Sequence, residues 1–239
     1  MDAHVRAQFD RAEIASLGAP VQRFFTHAMA PGTTLYTAAA IQLHGAFRMA
    51  EDKPWFVLDA RQRIAAFRGF VWQAKVRRRV LAFDGADYLI AGECAGLRIW
   101  LWAMLPVVHA SGPDIQRSAV GRLASEMLWT PAALLPRFGV RWECAGNNVI
   151  VARFTIAGED ICLSLRCDAA GAVTALWLDR WRVDMPGREP GYAVFGADIN
   201  AYTTCAGYTV PSRMEGGWDY NTAQYAPFVR YEVETFQPG

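Results

Sequence analysis

The order of apolar and polar residues changes period along the chain, and the changes mark its elements. Between residues 4 and 30, Leu17, Val21, Phe24, Phe25 and Ala28 recur at helical spacing until Pro31-Gly32 stops them, which predicts a first helix over 4–30. From Leu35 the period is two: Leu35, Ala39, Ile41, Leu43, Phe47 and Met49 take one face, Gln42, His44 and Arg48 the other. Similar runs cover 54–66, 70–83, 86–93 and 97–104, separated by turn-like "EDKP", "RG" and "DGAD". Connections this short make antiparallel neighbours, because a parallel crossover needs about a dozen residues. Residues 34–105 therefore read as one meander, and "VIVARFTIA", "EDICLSLRC", "GAVTALWLDRW", "GYAVFGADINAY", "GYTVPSRMEGGWDY" and "PFVRYEVETF" as a second over 139–236. Ten or eleven strands are more than a flat sheet holds without curling.

Between the meanders, "GRLASEMLWTPAALLP" continues a helix that starts at Ser111-Gly112-Pro113-Asp114. Val120, Leu123, Ala124 and Met127 form its apolar stripe, and Ser118, Arg122, Ser125, Glu126 and Trp129 lie opposite. Thr130-Pro131 ends the helix and starts a short turn. A solvated second face would gain only about 0.2–0.5 kcal/mol from the Arg122–Glu126 spacing. The Trp129 indole would bury ~200 Å² if covered, so leaving it in water forgoes several kcal/mol. The helix is therefore expected to be covered on both faces. The fold class expected is α+β in one domain, 1–239: a strongly curved, mainly antiparallel open half-barrel. The central helix and turn (113–136) fill or cap its hollow, and the N-terminal helix packs outside or at one end. "DMPGREPGY" at 184–192 reads as an exposed loop.

Composition narrows the partners. The net charge of +1 supplies no general attraction for nucleic acid, and "RRR" at 77–79 splits across two strand faces. All but two of the 24 cations are arginine. The five cysteines contain no CxxC pair and the four histidines are scattered, so neither a metal site nor a disulfide frame is expected. No dinucleotide, P-loop, nucleophile-elbow or metalloprotease signature implies a cofactor. The longest apolar run, "IWLWAMLPVV", is half the ~20 residues of a spanning helix. The polar start "MDAHVRAQFDRAEIASLG" lacks the core of an export signal, and the chain is expected in the cytoplasm.

Two charges fall within apolar strand faces: Arg78 beside Phe70, Trp72, Ala74 and Val76, and Asp179 beside Val173, Ala175, Trp177 and Trp181. Each needs a partner or an escape to water, and the two are candidates to pair with each other. Nine Trp and 13 Phe suit an aromatic-lined hollow for a hydrophobic or amphipathic small molecule. Trp72, Trp100, Trp102, Met104 and Trp129 are its wall candidates, with Arg78 or Arg122 on a polar head group and Asp179 beside them. An enzyme would instead use Glu126 as acid or base, Arg122 to fix its ionisation, and His44 or Asp179 as second participant. A scaffold would show a filled hollow and an apolar patch outside.

The pieces "VQRFFTHAMAPG", "LHGAFRM", "WFVLDARQ", "GFVWQAKV", "GRLASEMLWTPAALLP", "GVRW" and "GYTVPSRMEGGWDY" run in order from about residue 20 to 235. Together they resemble a bacterial family of unknown function, a resemblance that implies no catalytic residues. The architecture is similar to the open half-barrels of lipoprotein carriers, which implies a fold and no particular ligand.

Overall fold

The computed structural model describes residues 7–146, 148–184, 187 and 189–239. Among them thirteen strands form one antiparallel sheet. The first meander is β1 (Ala38–Phe47), β2 (Phe56–Ala65), β3 (Gly69–Arg78), β4 (Leu81–Ile90), β5 (Cys94–Leu101) and β6 (Leu105–Ser111). The second is β7 (Arg141–Gly146), β8 (Val149–Ile156), β9 (Glu159–Cys167), β10 (Val173–Arg182), β11 (Gly191–Cys205), β12 (Tyr208–Trp218) and β13 (Ala226–Pro238). The spatial order is β6-β5-β4-β3-β2-β1-β13-β12-β11-β10-β9-β8-β7. Every neighbour is a sequence neighbour except β1 and β13, whose pairing joins the two meanders. Two α-helices accompany the sheet, α1 (Ala19–Ala28) and α2 (Pro113–Glu126).

Helix α2 runs between the two edge strands and packs against β4 and β5 on one flank and β9 and β10 on the other. In a flat sheet β4 and β10, seven strands apart, would be separated by ~34 Å at about 4.8 Å per strand. A helix is only about 10 Å across. The sheet therefore curls around α2 with β6 and β7 unpaired to each other: an open half-barrel, as expected. The hollow under the second meander is full, since Leu123, Ala124, Met127 and Ala132 to Leu135 are all buried. Trp129, in a 3-10 turn after α2, is 2% exposed and donates its indole N–H to Pro211 O at 3.0 Å. Gly121 lets the helix lie this close, because a Cβ there would meet Arg180 Cγ at 2.6 Å.

One rim of the half-barrel carries the β1–β2, β3–β4, β5–β6, β8–β9, β10–β11 and β12–β13 turns. The other is capped by α1 and the residues around it. Gln8 bridges Thr34, Met29 bridges Tyr208, and the Tyr208 hydroxyl donates to Thr34 O at 2.7 Å.

Several boundaries differ from the sequence expectation. Of the helix expected over 4–30, residues 4–6 lie outside the described residues. The rest is a 3-10 turn (Arg11–Ile14) and α1, separated where extended Gly18 and Pro20 start a new helix. The run 70–83 is cut by a turn at Arg79-Val80, with Arg79 in the left-handed region, and "DGAD" is the middle of β4. Trp102 and Ala103, both at positive φ, turn the chain again and add β6, and β7 is a further strand; hence thirteen rather than ten or eleven. Of the 184–192 loop, Met185, Pro186 and Arg188 lie outside the described residues.

Truncating the best-covered indole tests this packing. Trp129→Ala should cost about 3–5 kcal/mol of unfolding free energy, and Trp129→Phe distinctly less, in urea titrations followed by circular dichroism.

Candidate functional site: a polar network under the central helix

Cross-strand register builds the site. Ile41, Gln62, Trp72 and Asp87 face one another in sequence across β1, β2, β3 and β4. Alternation sends all four to the inner face, under α2. Arg122, projecting from α2, meets this row. Its Nη1 donates to Asp87 Oδ2 at 2.6 Å and its Nε to Glu126 Oε1 at 2.9 Å, one turn along the helix. Gln62 Nε2 donates to Glu126 Oε2 at 2.5 Å, and the guanidinium lies over the rings of Phe70 and Trp72 at 4.8 and 4.9 Å. Three ionised side chains are therefore at least four-fifths covered: 12% of Arg122, 17% of Asp87 and 11% of Glu126 remain exposed. Burial pulls the Arg122 pKa down, but the Glu126 and Asp87 carboxylates outweigh it and hold the group above the ordinary arginine value.

Two further groups adjoin the network. Burial, augmented by the carboxylates of Glu126 and Asp87 against the pull of Arg122, pushes the Tyr231 hydroxyl up to about 12. Arg180 of β10 donates to Ser118 O at 3.0 Å and lies over Phe195 and Trp218, each at 5.1 Å. Among the described residues no carboxylate comes within ion-pair distance of it. Burial, followed by the neighbouring Arg122 charge, pushes Arg180 down to about 10. The inner face thus holds a second buried cation without an anion of its own.

Between this network and the rim of turns the inner face is lined by rings. Phe56 and Phe83 lie 6.1 Å apart, Phe47 and Phe228 6.1 Å, Phe228 and Phe195 6.2 Å, and Phe195 and Trp218 5.5 Å. A bulge between Gly216 and Gly217, opposite Pro227 and Val229, brings Phe228 into this band. At the capped rim the inward residues Ala39, Ile64, Phe70 and Leu89 are buried. Toward the turns, Val76, Phe83, Ile99, Leu101 and Val108 share that face but are only half-buried. A trough therefore lies open along β3 to β6, above the reach of α2. The Trp72 indole Nε1 is buried without a hydrogen-bond partner among the described residues. A separate cavity of about 540 Å³ lies at the other rim, lined in part by Ala38, Ala40, Ile64, Phe70 and Val71. Both faces of the sheet contribute to it, so it is a cleft across strand ends, away from the charged network.

The structure brings together Glu126, Arg122 and Trp72, with Trp129 one turn further in against β12. Arg78 is inward and half-buried at the trough's mouth. Other sequence candidates are corrected. Asp179 is exposed, because a bulge between Val173 and Ala175 turns Leu176, Leu178 and Arg180 inward instead; it forms no ion pair with Arg78. Trp100 pairs with Asp84 on the outer face. Trp102 and Met104 sit on the β5–β6 turn, 49% and 79% exposed, rather than in the wall. His44 is exposed on the outer face between Glu232 (3.8 Å) and Glu234 (3.4 Å), across the sheet from the face that Glu126 meets. No group of His, Cys, Asp and Glu among the described residues is arranged to hold a metal. Gln62, Asp87, Arg180 and Tyr231 were not foreseen. Gln62 had a signal, a polar residue at a core position of the alternating run Phe56, Leu58, Ala60, Ile64.

The chain belongs to the family of unknown function DUF6544, whose model matches residues 7–231. No curated protein matches it. Among solved structures it is similar to a LolA superfamily protein from Nitrosomonas europaea, with 7% identity over 92% of each chain and a TM-score of 0.48. It is also similar to a domain described as an outer membrane lipoprotein-sorting protein from Vibrio parahaemolyticus (9% identity, 92% of this chain and 90% of that one, TM-score 0.46). A DUF1329 family protein from Desulfovibrio piger gives 10% identity, 85% and 86% coverage and a TM-score of 0.40.

The two buried arginines should respond oppositely to removal. Arg122→Met strands two covered carboxylates and should cost about 3–5 kcal/mol. Arg180→Met, similar in volume, should raise stability by about 1 kcal/mol or more. The sign follows from a base whose folded-state pKa is depressed: its penalty is present throughout the neutral range and is relieved only as pH climbs through about 10. Urea midpoints of both variants at pH 7 check it.

Proposed function

We propose that the protein binds a hydrophobic or amphipathic small molecule along the trough between α2 and the rim of turns. One observation carries the reading: inward-facing apolar side chains of β3 to β6 stay half-exposed, while those of the same face at the capped rim are buried. Uncovered apolar surface inside a concave sheet gains about 25 cal/mol per Å² when a ligand covers it. Phe47, Phe83, Ile99, Leu101 and Phe228 would hold the apolar part. Arg78 at the mouth would take an acidic head group.

No observation favours catalysis by Glu126, whose two oxygens are occupied by Arg122 and Gln62. The network instead fixes α2 and so sets the depth of the trough.

A fluorescent fatty-acid probe added to the purified protein should bind and be displaced by unlabelled fatty acid, and native mass spectrometry should show a copurified ligand. Phe83→Glu and Leu101→Glu should each weaken the probe about tenfold or more by putting a charge on the ligand face. Absence of both a copurified ligand and probe binding would sink the reading.

A further inference from the structure

The two hairpin tips beside the trough are built against the ordinary rule for turns. Val80 is 80% exposed, Leu81 38%, Trp102 49%, Met104 79% and Leu105 56%. Val80, Trp102 and Met104 lie on the β3–β4 and β5–β6 turns, and Leu81 and Leu105 are the first residues of the strands that follow; the two tips adjoin because β4 pairs with β5. The tips are fastened to each other: Trp102 donates its indole N–H to Val80 O at 2.9 Å and its backbone N–H to Ala82 O at 2.8 Å. The apolar groups thus form one held patch rather than loose side chains. A soluble surface seldom places so many large apolar residues together at its most protruding points.

The charges around the patch are predominantly cationic. Across residues 75–84 and 94–111 stand Lys75, Arg77, Arg78, Arg79 and Arg98, against the single carboxylate Asp84. Arg77 is paired with Asp59, whereas Arg78 and Arg79 have no carboxylate within ion-pair distance among the described residues. The whole chain is nearly neutral at +1, so this excess is local. Apolar side chains and an indole at the tip with arginines set just behind them match the layering of an anionic bilayer surface, acyl chains below and phosphates above.

We infer that the β3–β4 and β5–β6 tips dock the protein on an anionic lipid bilayer, inserting Val80, Leu81, Trp102, Met104 and Leu105 while Arg78 and Arg79 meet lipid phosphates. The inference goes beyond the trough reading, though docking there would set the mouth of the trough against the membrane.

The test is cosedimentation of the full chain with phosphatidylcholine vesicles with and without phosphatidylglycerol. Binding should require the anionic lipid and fall steeply with salt. Met104→Ser/Leu105→Ser and Arg79→Glu should each reduce partitioning about tenfold or more, with circular dichroism and fatty-acid probe binding unchanged. Brominated lipid should quench tryptophan fluorescence, and Trp102→Phe should remove that quenching. No partitioning, equal partitioning onto neutral vesicles, or wild-type partitioning of Met104→Ser/Leu105→Ser would overturn it. So would a chain that self-associates through the tips, seen as a dimer that the same double variant converts to monomer without vesicle binding. Because probe binding is read separately, failure of docking and failure of the trough are distinguishable.

Discussion

A guanidinium taken out of water organises this molecule. Arg122 is held by Asp87 from the sheet and Glu126 from its own helix, while Gln62 ties Glu126 back to the sheet. Charged groups at this depth add little net stability over apolar replacements, but they tolerate only one arrangement, since any slip of α2 strands a charge. The helix is thereby fixed in rotation and in depth, with Gly121 on Arg180 and Trp129 on β12. What it covers and what it leaves uncovered both follow.

The inner face divides accordingly. Over β8 to β10 the core is continuous, built from Leu123, Met127, Leu163, Leu165 and Leu178. Toward the turns of β3 to β6 the same alternation continues past the end of the helix's reach, so apolar residues point inward at nothing that seals them. Arg180 fits the same division: it fills space under the helix with its stem and lays its charge on Phe195 and Trp218, at a cost in electrostatics offset by contact.

Much of this was legible in the sequence, and the losses have particular causes. Period two gave the meanders and their antiparallel order, and the exposed-indole argument placed the face of Arg122, Glu126 and Trp129 inside. Turns without Gly, Pro or Asn were invisible: Arg79 and Trp102 enter the left-handed region with no residue preference to announce it. The opposite error came from "DGAD", turn-like in composition yet held as strand by register with β3 and β5. One bulge between Val173 and Ala175 exchanged the faces of β10, which put Asp179 outside and hid Arg180. Partners such as Asp87 are set by pairing across strands, which a single strand's pattern does not carry.

The joining of β1 to β13 has a kinetic consequence. All other strand pairs close hairpins between strands consecutive in the chain, but this one brings Gly45 against Tyr231, nearly the full sheet apart in sequence. During synthesis each meander can zip up as it emerges, while the free side of β1 stays bare until the final strand is released. Over that interval a nascent chain presents an open ladder of amides, which makes the completion of one seam the step at which misassembly with other chains competes with folding.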